Sequence, residues 1–207
     1  MILLIDLKIS NLNSVAQAFR RLGIEVQISD KLGDLKRAKA FVLPGVGAFE
    51  RASWALRDSG MAQVLRRRVL EENIPVIGIC LGMQLLADYG EEGGRHEGLG
   101  LIKGRVVKLF SDQTDFLVPN IGWNHVKPEK DGVMFSANQE IRSFYHVHSY
   151  HMECDNRSDI AASIEFSGQS VTVAVERGCI FGTQFHPEKS QDPGLDLLEK
   201  LVARLDG

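Results

Sequence analysis

The sequence predicts an α/β fold: an open, mostly parallel sheet with helices on both faces, joined in the C-terminal half by antiparallel strands. Three observations predict it. Short apolar runs alternate with helix-period segments through the first eighty residues, and the second half turns to short β-branched runs. Between them, Ile74-Pro75-Val76-Ile77 leads straight into Gly78-Ile79-Cys80-Leu81-Gly82, the pattern of a strand, a sharp turn and a helix. With 207 residues, 44% of them hydrophobic, residues 1–207 form one domain with an ample core.

Ile2 to Asp6 is a buried first strand; its apolar run stops at Asp6 and lacks a basic leader, which argues against a signal peptide or membrane span. Leu12, Val15, Ala16, Phe19 and Leu22 then mark one face of a helix. Strands follow at Glu25 to Ile28 and at Ala40 to Leu43, with helical segments at Trp54 to Leu56 and Val64 to Leu70. Arg66-Arg67-Arg68 reads as a solvated helix face. After the fourth strand and its helix, Glu91-Glu92-Gly93-Gly94 reads as a flexible loop. The second half supplies strands at Gly104 to Leu109, Phe144 to Tyr150, Ile160 to Phe166, Val171 to Glu176 and Cys179 to Thr183. A helix on Leu195, Leu198, Val202 and Leu205 closes the chain.

A net charge of −3 on a mixed surface gives no case for nucleic acid, and no segment points to a membrane. Three widely spaced cysteines do not make a disulfide framework, which places the chain in a reducing cytoplasm.

The chemistry is concentrated in two places. Gly78-Ile79-Cys80-Leu81-Gly82 has the form of a nucleophile elbow, whose flanking glycines avoid collisions in the turn. A cysteine there sits near a helix N-terminus, where the positive end of the dipole favours thiolate. A thiolate needs a base, and the base needs a partner to fix its tautomer. His186 and Glu188 follow an apolar run, with Pro187 stiffening the backbone between them. Cys80, His186 and Glu188 therefore make a candidate catalytic triad.

These two motifs resemble those of the class I (triad) glutamine amidotransferases. Pro44-Gly45-Val46-Gly47, Ile121-Gly122-Trp123-Asn124, Tyr145 to Tyr150, Gln184 to Ser190, and Asn11 to Val15 extend the similarity over nearly the whole chain. Within that family they resemble the glutaminase subunits of imidazole glycerol phosphate synthase. The resemblance implies hydrolysis of L-glutamine to glutamate and ammonia without metal or organic cofactor. It implies delivery of the ammonia to a (β/α)8-barrel cyclase in a heterodimer, for histidine biosynthesis. It implies an oxyanion hole from the backbone of Leu81 and of Val46 or Gly47, with a glycine-flanked peptide able to flip. Gly47, Gln84, His148, Ser149 and Tyr150 match the positions that hold the substrate. Asn11, Trp123, Tyr145 and Lys189 match positions that face the partner.

Ser10 and His146 depart from the pattern, where glycine and an apolar aromatic are usual. They leave open a paralogue that supplies ammonia for amidine formation on surface-polysaccharide sugars. His146, His148 and His151, with Glu153, also have the spacing of a zinc or iron site, but that reading leaves Cys80 and His186 without roles. Gly45-Val46-Gly47-Ala48-Phe49-Glu50 lacks the third glycine of a dinucleotide cradle.

Overall fold

A computed structural model describes residues 1–8, 12–110 and 117–205. The strands are β1 (Ile2–Ile5), β2 (Val26–Ser29), β3 (Ala40–Gly45), β4 (Val76–Cys80), β5 (Tyr89–Gly90), β6 (His96–Glu97), β7 (Gly104–Lys108), β8 (Asn120–Pro128), β9 (Arg142–His148), β10 (Tyr150–Cys154), β11 (Ile160–Phe166), β12 (Gln169–Arg177) and β13 (Ile180–Thr183). The helices are α1 (Leu12–Arg21), α2 (Leu32–Arg37), α3 (Phe49–Asp58), α4 (Met61–Leu70), α5 (Leu81–Gln84) and α6 (Gln191–Leu205).

A nine-stranded sheet runs β2-β1-β3-β4-β13-β12-β11-β8-β9. Its first five strands pair in parallel and the rest antiparallel. β1, β3, β4 and β13 are buried on both faces, their side chains alternating between two helical layers, whereas the edge strand β2 leaves Gln27 and Ile28 exposed. Ile2 and Leu4 pack with Val15 and Phe19 of α1 and with Leu198 and Leu201 of α6. Leu3 and Ile5 pack on the other face with Leu56 of α3 and Leu65 of α4. Burying one such side chain contributes about 1.5–3 kcal/mol, so the β1 tetrapeptide alone ties both helical layers to the sheet.

A second sheet, β10-β7-β5-β6, corrects part of the sequence reading. Phe144 to Tyr150 is not one strand: β9 ends at His148 in the large sheet, and β10 starts at Tyr150 in the small one. Ser149 belongs to neither ladder. β8 was not predicted, because Asn120 to Pro128 shows Asn, Trp, His and Lys without apolar alternation, and much of it is exposed. α2 is too short to display a period; Leu35 is its buried apolar anchor, and Asp34 accepts from Ser29 Oγ at 2.6 Å. Arg68 is no solvated residue, since its guanidinium donates to the Ala38 carbonyl, and Arg66 reaches the Leu99 carbonyl.

Candidate active site

The elbow is built by contact. Cys80 closes β4 with φ 55° and ψ −112°, a conformation that costs a non-glycine residue roughly 1–3 kcal/mol. A methyl group on Gly82 would lie 1.6 Å from the Leu43 carbonyl oxygen, and one on Gly78 2.6 Å from that of Gly82. Both glycines are thus demanded by backbone approaching backbone. The helix that follows is one turn only, α5, so the expected dipole shrinks to the first few N–H groups at the turn.

Strand register explains why distant residues meet. β3, β4 and β13 are adjacent and parallel, with Gly45 level with Cys80 and Thr183 level with Ile79. The residues after β3 and β13 therefore emerge beside the elbow, beyond the carboxyl ends of the strands, where sites in such sheets form. Gly45 is wedged against Leu81, whereas Gly47 adopts φ 101° with open space about it. That asymmetry puts the tight backbone contact at Gly45 and the glycine-favouring positive φ at Gly47.

His186 Nδ1 lies 2.8 Å from Glu188 Oε1, and both side chains are almost fully buried. The carboxylate can only accept, so Nδ1 carries the proton. Nε2 is then the nitrogen that can exchange a proton, and among the described residues it has no hydrogen-bond partner. Burial lowers the imidazole's affinity for a proton, but the nearby Cys80 sulfur and the Glu188 carboxylate outweigh it and raise the pKa to about 9. The 3₁₀ turn Pro187–Lys189 holds the pair in place. Ser190, wholly buried, donates to the His186 carbonyl at 2.6 Å and accepts from Tyr145 N at 2.9 Å, pinning the turn to β9. Sequence reasoning treated Ser190 only as part of a motif.

A cavity of about 350 Å³, of ligand-pocket size, opens over the sulfur. Its wall includes Cys80, Leu81, Val46, Gly47, Gln84, His148, Ser149, Tyr150 and His186. Glu92 lines it too: residues 91–95 are the loop between β5 and β6, and from it Glu92 Oε2 accepts from Phe49 N, at the start of α3, at 2.7 Å. Among the described residues no other carboxylate lines this cavity, so Glu92 is its one anionic wall group. Glu92→Gln keeps an oxygen for Phe49 N but removes the charge. We expect it to raise KM for an amino-acid substrate by about 10- to 100-fold with kcat nearly unchanged, as for a charge-assisted hydrogen bond lost in ground and transition states alike. Steady-state kinetics of the variant measure it, and an unchanged KM refutes the role.

Behind the cavity, His148 Nδ1 lies 2.9 Å from the Tyr150 carbonyl, so its Nε2 is the acceptor, facing Asn120 Nδ2 at 3.2 Å and His146 Nδ1 at 3.3 Å. Burial takes the His148 pKa down to about 4 and lowers that of His146 as well. Both rings are neutral at pH 7. His151 stands on β10, in the other sheet, and among the described residues no three His, Cys, Asp or Glu side chains converge as metal ligands. His146 packs on Phe185, as the expected aromatic would.

Of the residues expected to face a partner, Trp123 is half-exposed and meets Tyr145 directly across the β8–β9 ladder, the rings T-shaped at 6.0 Å. Lys189 is exposed, as are Ile121 and Leu117. Asn11 and Ser10 lie outside the described residues. No helix is long and apolar enough to cross a membrane among the described residues.

Comparison with known proteins identifies the family. Residues 3–204 match the family "Glutamine amidotransferase class-I". The chain is 41% identical to "Imidazole glycerol phosphate synthase subunit HisH 1" of Campylobacter jejuni (strain RM1221), covering 98% of this chain and 99% of that protein. It is also 41% identical to "Imidazole glycerol phosphate synthase subunit HisH" of Geobacillus sp. (strain WCH70), over 100% and 98% respectively. A crystal structure of a glutamine amidotransferase superposes with a TM-score of 0.74 at 21% identity, over 98% of this chain and all of that one, which shows the shared fold.

Proposed function

This chain belongs to the class-I glutamine amidotransferase family, and from that premise we propose how it acts as the glutaminase subunit of an imidazole glycerol phosphate synthase. The observation that carries the reading is the Cys80 elbow sharing one cavity with the buried His186–Glu188 pair. Glutamine enters with its ammonium group toward Glu92 and its carboxylate toward Ser149 and Tyr150. The Cys80 thiolate attacks the side-chain carbonyl: a carbon–sulfur bond forms and the carbonyl electron pair moves to oxygen. Leu81 N–H and the turned Val46–Gly47 peptide hold that oxyanion. His186 Nε2–H protonates the departing nitrogen, and ammonia leaves a glutamyl thioester. Water then attacks with His186 Nε2 as base, and carbon–sulfur cleavage returns the thiolate and glutamate. Glu188 stabilises the imidazolium throughout without taking its proton.

The ammonia passes to a (β/α)8-barrel cyclase docked on the Trp123–Tyr145 face. There it completes imidazole glycerol phosphate and aminoimidazole carboxamide ribotide, in the cytoplasm, where thiols stay reduced. Thiolate, imidazole and amide donors suffice for the hydrolysis, without metal or cofactor.

Rotation of the Val46–Gly47 peptide makes the partner a switch. If docking completes the oxyanion hole, the isolated chain should hydrolyse glutamine about 100- to 1,000-fold more slowly than the cyclase complex carrying its ligand, the worth of one oxyanion donor. Glutamate release measured with and without the barrel subunit tests this. Full activity in the lone chain sinks it, and stimulation by a sugar-amidating synthetase instead would reassign the partner.

A further inference from the structure

We propose that Gln184 is a catalytic hydrogen-bond donor to the Cys80 sulfur, aimed there by an amide chain that begins at the Tyr150 carbonyl and runs through Gln84. This rests on the glutaminase reading and deepens it. Three distances orient the chain. A backbone carbonyl can only accept, so the Gln84 atom 3.1 Å from Tyr150 O is its NH₂ group. That same nitrogen lies 3.0 Å from Gln184, so the Gln184 atom there is the oxygen. The remaining end of Gln184, 3.6 Å from Cys80 Sγ, is therefore the NH₂ group. Gln184 is wholly buried and Gln84 nearly so. An amide in that position is kept only where its polar atoms find partners, and the sulfur is the partner of this one.

The direction of the bond matters for catalysis. As a thiol, Cys80 donates to the Val147 carbonyl at 3.9 Å. Ionisation removes that donor, and the carbonyl then faces a negative sulfur. Gln184 N–H works the other way, since it strengthens as charge gathers on sulfur. It acts on the sulfur as it attacks and again when the carbon–sulfur bond of the second tetrahedral intermediate breaks and its electron pair returns to sulfur. At that second moment the proton taken from water sits on His186, and the Gln184 N–H supplies the departing sulfur with a second, neutral donor that does not depend on the imidazole's protonation.

The test compares the full-length wild type with Gln184→Glu and Gln184→Met. Each is treated with iodoacetamide across a pH series, and mass spectrometry follows alkylation of the Cys80 peptide apart from Cys154 and Cys179; glutamine kinetics of each are taken in the partner complex. Gln184→Met keeps length and removes the donor. Gln184→Glu keeps an acceptor for Gln84 and sets a second acid against the sulfur. The pH midpoint of alkylation should therefore rise in the Met variant and rise further in the Glu variant, while kcat falls roughly 10- to 100-fold with KM within a few-fold. A merely structural residue gives no such order. Coincident midpoints in all three proteins overturn the proposal, and the near-isosteric Glu variant decides alone should the Met variant fail to fold. A wild-type chain that turns over no glutamine while keeping the order of midpoints would instead refute the glutaminase reading and leave the sulfur contact standing.

Discussion

Cys80→Ala will abolish glutamine-dependent synthesis by the assembled complex and leave ammonia-dependent synthesis intact. The nucleophile of a covalent mechanism has no substitute in this cavity, because among the described residues Cys80 is the only cysteine that lines it. Loss of a nucleophile from such a unit lowers kcat by about 10⁴- to 10⁶-fold. The structure should tolerate the change. The strained backbone at φ 55° is set by Gly78 and Gly82 packing against their neighbours, not by the sulfur. Alanine is no worse placed there than cysteine, and a deleted buried thiol costs about as much as a small core truncation. Assay of the complex with glutamine and, separately, with ammonium salt reads both activities. Should both vanish together with the fold intact, Cys80 serves the complex rather than the hydrolysis.

The contrast between what sequence showed and what it hid has a physical basis. Cys80, His186 and Glu188 were visible because each demand is local: a turn that admits only glycine at two places, and a base–carboxylate pair two residues apart. The central parallel strands β1, β3, β4 and β13 were visible because strands buried on both faces need unbroken apolar runs. Glu92 was hidden, since its role depends on β5 and β6 bringing it back to Phe49 N, and its own neighbourhood reads as an acidic, glycine-rich loop. Gln184 was hidden for a related reason. Its orientation comes from Gln84, one hundred residues earlier, and from a carbonyl on β10 that sequence assigned to the same strand as Phe144. The break at Ser149, between two sheets, leaves no mark in periodicity, because both strands continue to alternate across it.

Glu188→Gln separates charge from shape at the second arm of the triad. The amide oxygen can still accept from His186 Nδ1–H, so the ring is still held, but the negative charge that favours the imidazolium is gone. If the amide turns its nitrogen to the ring instead, the wrong tautomer is stabilised and Nε2 no longer exchanges the proton. Either way kcat should fall by roughly 100- to 10,000-fold, the upper end being the cost of a wrong tautomer. The pH profile distinguishes this from a packing defect. Burial pushes the His186 pKa down, and the Cys80 sulfur and Glu188 together lift it to about 9 against that pressure. With the carboxylate removed, burial is less opposed, so the imidazolium is lost at lower pH. The alkaline limb of kcat/KM, which follows loss of the imidazolium that protonates the departing amide nitrogen, must then move downward from about 9, whereas loosened packing would lower the rate at every pH and leave the limb in place. A variant with normal kcat and an unmoved limb would show that Glu188 Oε1, 2.8 Å from the ring, takes no part in the proton transfer.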